Sequence, residues 1–415
     1  MQQLEIIGGQ PLTGKIKIGG AKNSVVAIVP ATILADAPVT ITNVPKISDI
    51  EALGEILTFL GAKIERTNNT IIVDPTGIIN QEIPEGIAKK LRASYYFMGA
   101  LLGKYKRAEV YFPGGCPIGP RPIDLHLKGF KKLGATVKAD HNKYIIDAKE
   151  LIGNTIYLDI ASVGATVNIM LAAVRAKGLT VIENAAKEPE IVNIATFLNN
   201  MGAKISGAGT SVIKIMGVNQ LNGGFHEVIP DRIEAGTYLI IGALLGHNMR
   251  IENIIPLHLE SLISKLSEAG VKVKVGRDYL IINKAKCLKS INIKTLVYPG
   301  FPTDLQQPLA TLLTQCQGIS TIEETIYEDR FNNIPYLNKM GADIKINQTK
   351  ATIKGPTNLK GAKVKATDLR AGASLIIGGL IAEGKTTVTD INHVLRGYEQ
   401  IVEKLTKLGA KIRIN

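Results

Sequence analysis

The chain has 415 residues, 45% of them hydrophobic, only three cysteines, and a formal net charge of +13. This length predicts two or three domains. The odd, irregularly spaced cysteines give neither a disulfide framework nor a zinc pattern and fit a reducing cytoplasm. The low aromatic content, with no Trp, offers no basic–aromatic alternation for stacking nucleic-acid bases.

In chain order, Met1 is followed by no basic–apolar leader; a strand-like run starts at Leu4 and continues to Ile7. The oiliest stretch, residues 24–39, is interrupted by Pro30 and Asp36, so no membrane span is expected. From Lys22 onward one unit recurs six times: an apolar helix, a strand, an amphipathic helix closed by a glycine, and two strands. The apolar helices open near Lys22, Arg92, Ser162, Arg232, Thr303 and Arg370. The closing glycines are Gly61, Gly134, Gly202, Gly270, Gly341 and Gly409, so the period is roughly 70 residues. In the fourth unit the helix starting at Arg232 is apolar on nearly every side. Met249–Ile254 reads as a strand, Leu257–Gly270 as an amphipathic helix, and Val271–Val275 with Tyr279–Ile282 as a hairpin.

A helix that is oily all round must be covered all round. The six helices therefore belong inside, with sheets and amphipathic helices about them. Small residues such as Ala172, Ala173, Gly242, Ala243, Gly378 and Gly379 are expected to let these helices approach closely. The sixth unit stops at Ile414 before its hairpin partner, and Leu4–Ile7 resembles the missing strand. The expected division is one three-repeat half over 22–229, and another made of 1–21 plus 230–415.

If the inner helices of each half run parallel, their N-termini gather at one end, where free N–H groups and helix dipoles favour phosphate or carboxylate. Lys22, Asn23, Arg92, Ser162, Arg232 and Arg370 lie at these openings. Cations there oppose the dipole, which points to function rather than stability. Residues 113–122 hold three glycines and four prolines and define a loop carrying Cys116 and Arg121, a candidate thiol beside a cation. Cys287 and Cys316 read as buried small hydrophobes. Asp124 and His126 read equally as surface residues. Asp304, at the fifth opening, is either a first-turn acid favoured by the dipole or a general base facing the cations. No dinucleotide loop, phosphate loop or metal spacing is found, so no cofactor or metal is expected.

Ten segments in order, among them Gly20-Ala-Lys-Asn23, Pro113-Gly-Gly-Cys116, Arg121-Pro-Ile-Asp-Leu125, Phe301-Pro-Thr-Asp304, Asp368-Leu-Arg370 and Arg396-Gly-Tyr398, resemble the enolpyruvyl transferases over the whole chain. The cysteine loop resembles the branch that uses UDP-N-acetylglucosamine as acceptor, not the shikimate-pathway synthase. The resemblance implies an α/β fold: a two-domain inside-out α/β barrel, with the active site in the cleft between domains. It implies transfer of the enolpyruvyl group of phosphoenolpyruvate to the 3′-hydroxyl of UDP-N-acetylglucosamine, a cytoplasmic step of cell-wall synthesis that involves neither membrane nor nucleic acid. Lys22, Asn23, Arg92, Arg121, Arg370 and Arg396 would hold phosphoenolpyruvate. Asn23, Arg92, Arg121, Pro122, Ile123, Asp124, Leu125, His126, Ile160, Ala161, Ser162, Val163, Asp304, Ile326 and Arg330 would line the sugar-nucleotide site. Cys116 would act as acid and Asp304 as base. Ile160 and Ser48 depart from the family pattern, which often has Lys at the first place and can have it at the second. A shikimate-3-phosphate enolpyruvyl transferase and a non-catalytic polyanion-binding repeat protein are the rival readings.

Overall fold

In the computed structural model, the described residues are 2–88, 92–111 and 123–415, with the backbone alone at 92 and 93. Among them the chain forms two compact units. One gathers the residues up to Gly19 with Pro230–Asn415, and the other gathers those from Gly20 to Ile229. Each is an inside-out α/β barrel with its own hydrophobic core.

In the first of these units the central helices are Arg232–Leu245, Thr303–Leu313 and Leu369–Ile381; in the second they are Lys22–Ala31, Tyr96–Tyr105 and Val163–Ala173. Their side chains are buried almost without interruption. From Ile233 to Leu245, for example, every residue is inside. The strands around them alternate instead: Ile213 and Ile215 point inward, while Val212, Lys214 and Met216 face out.

Each amphipathic helix stops where a glycine takes the left-handed conformation. The φ values of Gly61, Gly134, Gly202, Gly270, Gly341 and Gly409 lie between 92° and 106°. A Cβ is strained there, and the reversal lets the Gly61 amide donate to the Thr58 carbonyl oxygen and that of Ala62 to Leu57. The six-fold glycine pattern is thus a pattern of helix stops.

The sheets show how three repeats close into one body. Each four-stranded sheet combines three antiparallel strands with one parallel strand from a neighbouring stretch of chain. Thr155–Tyr157 joins Leu179–Glu183, and Asn292–Lys294 joins Gly318–Glu323. Gly224–Glu227, from the end of the third repeat, returns to Val39–Thr42 of the first and closes that unit. Leu12–Lys17 runs parallel with Gly246–Glu252 and closes the other. The second repeat departs from this pattern, with the three strands Arg107–Tyr111, Lys143–Asp147 and Thr136–Asp140. Leu4–Ile7 lies between Lys385–Thr389 and Lys411–Ile414, antiparallel to both, so the N-terminus supplies the sixth repeat's missing strand.

Three expectations are corrected. A Cβ at Gly242, Gly378 or Gly379 would meet Ile282, Met340 or Ile6 on the surrounding layers, so these glycines fit helices to their cover and not to one another. Glycines that bring central helices together include Gly99 and Gly103, whose Cβ positions lie 2.5 Å from Asn168 O and 2.6 Å from Leu171 O, and Gly236, whose Cβ position lies 2.5 Å from Leu305 Cδ1. Leu257 does not join an apolar helix face. It is 62% exposed in a short 3-10 turn, Pro256–Leu259, and the α-helix begins only at Glu260. Cys287 is exposed, whereas Cys316 is buried as expected. No helix among the described residues is long and apolar enough to cross a membrane.

Candidate active site

Asp304 sits in the first turn of the helix Thr303–Leu313. Its Oδ1 accepts from Arg330 Nη2 at 2.6 Å and its Oδ2 from Arg370 Nη2 at 2.8 Å. Arg330 precedes the Ile334–Lys339 helix and Arg370 opens the Leu369–Ile381 helix, so packing around the unit's centre converges three distant stretches of chain. Both guanidinium side chains are 5% exposed or less, while Asp304 keeps 25% of its side-chain surface open. Burial alone would raise the carboxyl's pKa. The charges of Arg370 and Arg330, with their hydrogen bonds, outweigh it and hold the group well below the usual carboxylate range. Two arginines and one aspartate leave a net positive charge beside an open carboxylate, which suits an anionic ligand.

Helix capping sharpens the picture. The Asp231 carboxylate accepts from the amides of Ile233 and Glu234, and the Asp368 carboxylate from those of Arg370 and Ala371. These helix ends were expected to offer free N–H groups to anions, but their own caps already use them. In this unit the central helix without a side-chain cap is the one carrying Asp304. Arg232 stacks over Tyr298 at 5.5 Å, and Arg370 over Tyr398 at 5.4 Å. Ile326 follows the strand Gly318–Glu323, and Arg396 is half-buried after the Asn392–Leu395 turn.

The other unit carries the remaining candidates. Lys22 and Asn23 open the first central helix, which also lacks a side-chain cap, and Lys22 Nζ pairs with Asp49 at 2.8 Å. The expected cost of a cation against the helix dipole is therefore offset at both Lys22 and Arg370 by a neighbouring carboxylate. Asp49, in the first turn of Ser48–Leu60, was not singled out from the sequence. Ser48 beside it is exposed.

His126 is buried, and its Nδ1 lies 3.0 Å from Asn168 Nδ2; its ring meets Tyr95 edge-on at 5.3 Å and packs against Gly164. It thus stands beneath the N-terminus of the Val163–Ala173 helix, whose cap is Ser162. Asn168 Oδ1 in turn accepts from the Gly99 amide at 2.9 Å. Ile123 and Leu125 are also buried, Asp124 is exposed in its helix's first turn, Ala161, Ser162 and Val163 are half-buried, and Ile160 is 67% exposed. Cys116, Arg121 and Pro122, and the side chain of Arg92, lie outside the described residues. Among the described residues no cluster of His, Cys, Asp and Glu could hold a metal ion.

The family model for EPSP synthase (3-phosphoshikimate 1-carboxyvinyltransferase) matches residues 6–405, which makes the class of protein a carboxyvinyl transferase. The enolpyruvyl transferase NikO from Streptomyces tendae has a similar structure, with a TM-score of 0.90, 28% identity, and coverage of 100% of this chain and 99% of that one. EPSP synthase from Acinetobacter baumannii shares the fold with a TM-score of 0.77 at 18% identity, each chain covered in full. UDP-N-acetylglucosamine 1-carboxyvinyltransferase 2 of Geobacillus kaustophilus is 54% identical over 99% of this chain and 96% of its own length. The Bacillus subtilis protein of that name is likewise 54% identical, with the same coverage. The chain belongs to the UDP-N-acetylglucosamine 1-carboxyvinyltransferase family.

Proposed function

We infer that the protein transfers the enolpyruvyl group of phosphoenolpyruvate to the 3′-hydroxyl of UDP-N-acetylglucosamine and releases phosphate, the first committed step of peptidoglycan synthesis. The observation that carries the choice of acceptor is full-length identity of 54% to relatives bearing that name. The phosphorylated substrates and the cysteine usage support a cytoplasmic location.

The residues suit the reaction. The enol carbon becomes electrophilic when its methylene is protonated, and Cys116 is the acid proposed to deliver that proton. The sugar oxygen then bonds to that carbon while Asp304 takes the hydroxyl proton. Loss of phosphate and of a methyl proton restores the double bond. Lys22, Arg121, Arg370 and Arg396 would neutralise the phosphate and carboxylate through the tetrahedral intermediate. His126, buried against Gly164 and Asn168, would line the sugar-nucleotide site from below.

The two arginines hold Asp304 well below the usual carboxylate range, so it is a weak base until one of those bonds loosens. An arriving anion gives Arg370 another partner and restores basicity to the carboxylate. The deciding experiment measures phosphate released from phosphoenolpyruvate with each acceptor. Release dependent on UDP-N-acetylglucosamine is expected; release dependent on shikimate 3-phosphate would replace this reading with the rival synthase.

A further inference from the structure

We propose that Glu324 is a positioning residue for this reaction, acting through the Thr303 hydroxyl to aim Arg330 at Asp304. The proposal rests on the enolpyruvyl-transfer reading for its kinetic consequence, but its geometry stands apart from that reading.

Glu324 is 1% exposed and follows the strand Gly318–Glu323. A carboxylate that deep needs donors on both oxygens. Its Oε1 accepts from the Thr295 hydroxyl at 2.8 Å, the Ile326 amide at 2.8 Å and the Tyr327 amide at 3.2 Å. Its Oε2 accepts from the Thr303 hydroxyl at 2.7 Å. The Thr303 oxygen in turn accepts from Arg330 Nη1 at 2.7 Å, and Arg330 Nη2 donates to Asp304.

The direction of these bonds matters. A hydroxyl has one hydrogen. Because Glu324 takes it, the Thr303 lone pairs face Arg330, which can only donate. The guanidinium is thereby held at two nitrogens, one on Thr303 and one on Asp304, and it stacks over Tyr327 at 5.0 Å, itself placed by Glu324. One buried carboxylate so orders Ile326, Tyr327, Thr303 and Arg330 together. An amide cannot replace it, because four donors converge on the two oxygens and one of them would face an NH2 group.

The test compares Thr303→Val, Thr303→Ser and Glu324→Gln with the unaltered protein in the phosphate-release assay. Thr303→Val removes the hydroxyl at a half-buried position, and Thr303→Ser keeps it. We expect kcat to fall about tenfold in Thr303→Val and Glu324→Gln, the loss typical of one charge-assisted hydrogen bond. The KM for each substrate should stay within about twofold, and Thr303→Ser should restore the rate. Unchanged kcat in Thr303→Val, or a loss that Thr303→Ser does not restore, overturns the proposal. A second measurement needs no activity: guanidinium 15N resonances of Arg330 report hindered rotation in the unaltered protein and averaging in Thr303→Val. Hindered rotation with no phosphate release would sink the functional reading and leave the relay standing; equal averaging in both proteins would sink the relay.

Discussion

Arg370 and Asp304 are 66 residues apart in the chain, yet Nη2 of one donates to Oδ2 of the other at 2.8 Å. The contact joins the first turns of two neighbouring central helices and decides what the carboxylate can do. An aspartate so paired is a charge anchor until an incoming anion competes for its arginine.

Asp304→Asn tests this double role. The amide oxygen still accepts from one arginine, so the chain is expected to fold, with stability lowered by about 3 kcal/mol for the buried guanidinium left unpaired. Turnover should fall by about 10²- to 10⁴-fold, the span of a lost general base. Near-normal phosphate release by the folded variant would remove Asp304 as base.

The cysteines differ in environment. Burial pushes the Cys316 thiol up to about 12, while Cys287 is exposed. Iodoacetamide is expected to label Cys287 and spare Cys316, because the thiolate is the reactive form. A small epoxide-phosphonate should alkylate Cys116, bound phosphoenolpyruvate should slow that alkylation, and Cys116→Ala should abolish turnover. Peptide mapping checks both, and epoxide label found mainly on Cys287 would count against Cys116.

Gly99→Ala probes the helix contact. Its Cβ would lie 2.5 Å from Asn168 O and 2.8 Å from Asn168 Oδ1, inside a close-packed interface. Overpacking there is expected to cost about 1–3 kcal/mol. A urea midpoint equal to that of the unaltered protein would show that these helices can slide apart freely.

His226 gives the pH dependence. It is buried beside Asn193 and Phe197, and burial lowers its pKa from 6.5 to about 4. The unfolded chain therefore binds the proton first as pH falls. The neutral ring's contribution is complete above 6.5, declines through the window from 6.5 to 4, and is fully lost below it, a change of up to about 3 kcal/mol. Urea unfolding at pH 7 and pH 5 should show this decline, with a smaller one in His226→Gln. Equal slopes in the two proteins would assign the effect to other groups.

Repeat number, helix type and the six stops were legible because their causes are local. An all-apolar run at helical period must be buried, and a left-handed residue after a helix selects glycine at that place alone. The closing strand at Leu4–Ile7 was legible for a related reason: a hairpin lacking its partner leaves open hydrogen bonds that another strand must fill. Leu257 was misjudged because helical periodicity continues through a segment that Pro256 turns into a tight 3-10 start. Gly242, Gly378 and Gly379 were assigned to the wrong neighbour because composition says a surface is small but not what faces it.

By itself, the chain's order of residues determined the architecture of each unit and nominated Lys22, Asp304, Arg330 and Arg370, since periodicity and motif position are properties of neighbours in sequence. Only tertiary structure decided that Asp304 is clasped by two arginines, that Asp231 and Asp368 use up helix amides once expected to bind ligand, and that Glu324 orients the cluster. Those facts depend on distances between residues that lie tens of positions apart, which are set when helices and sheets pack.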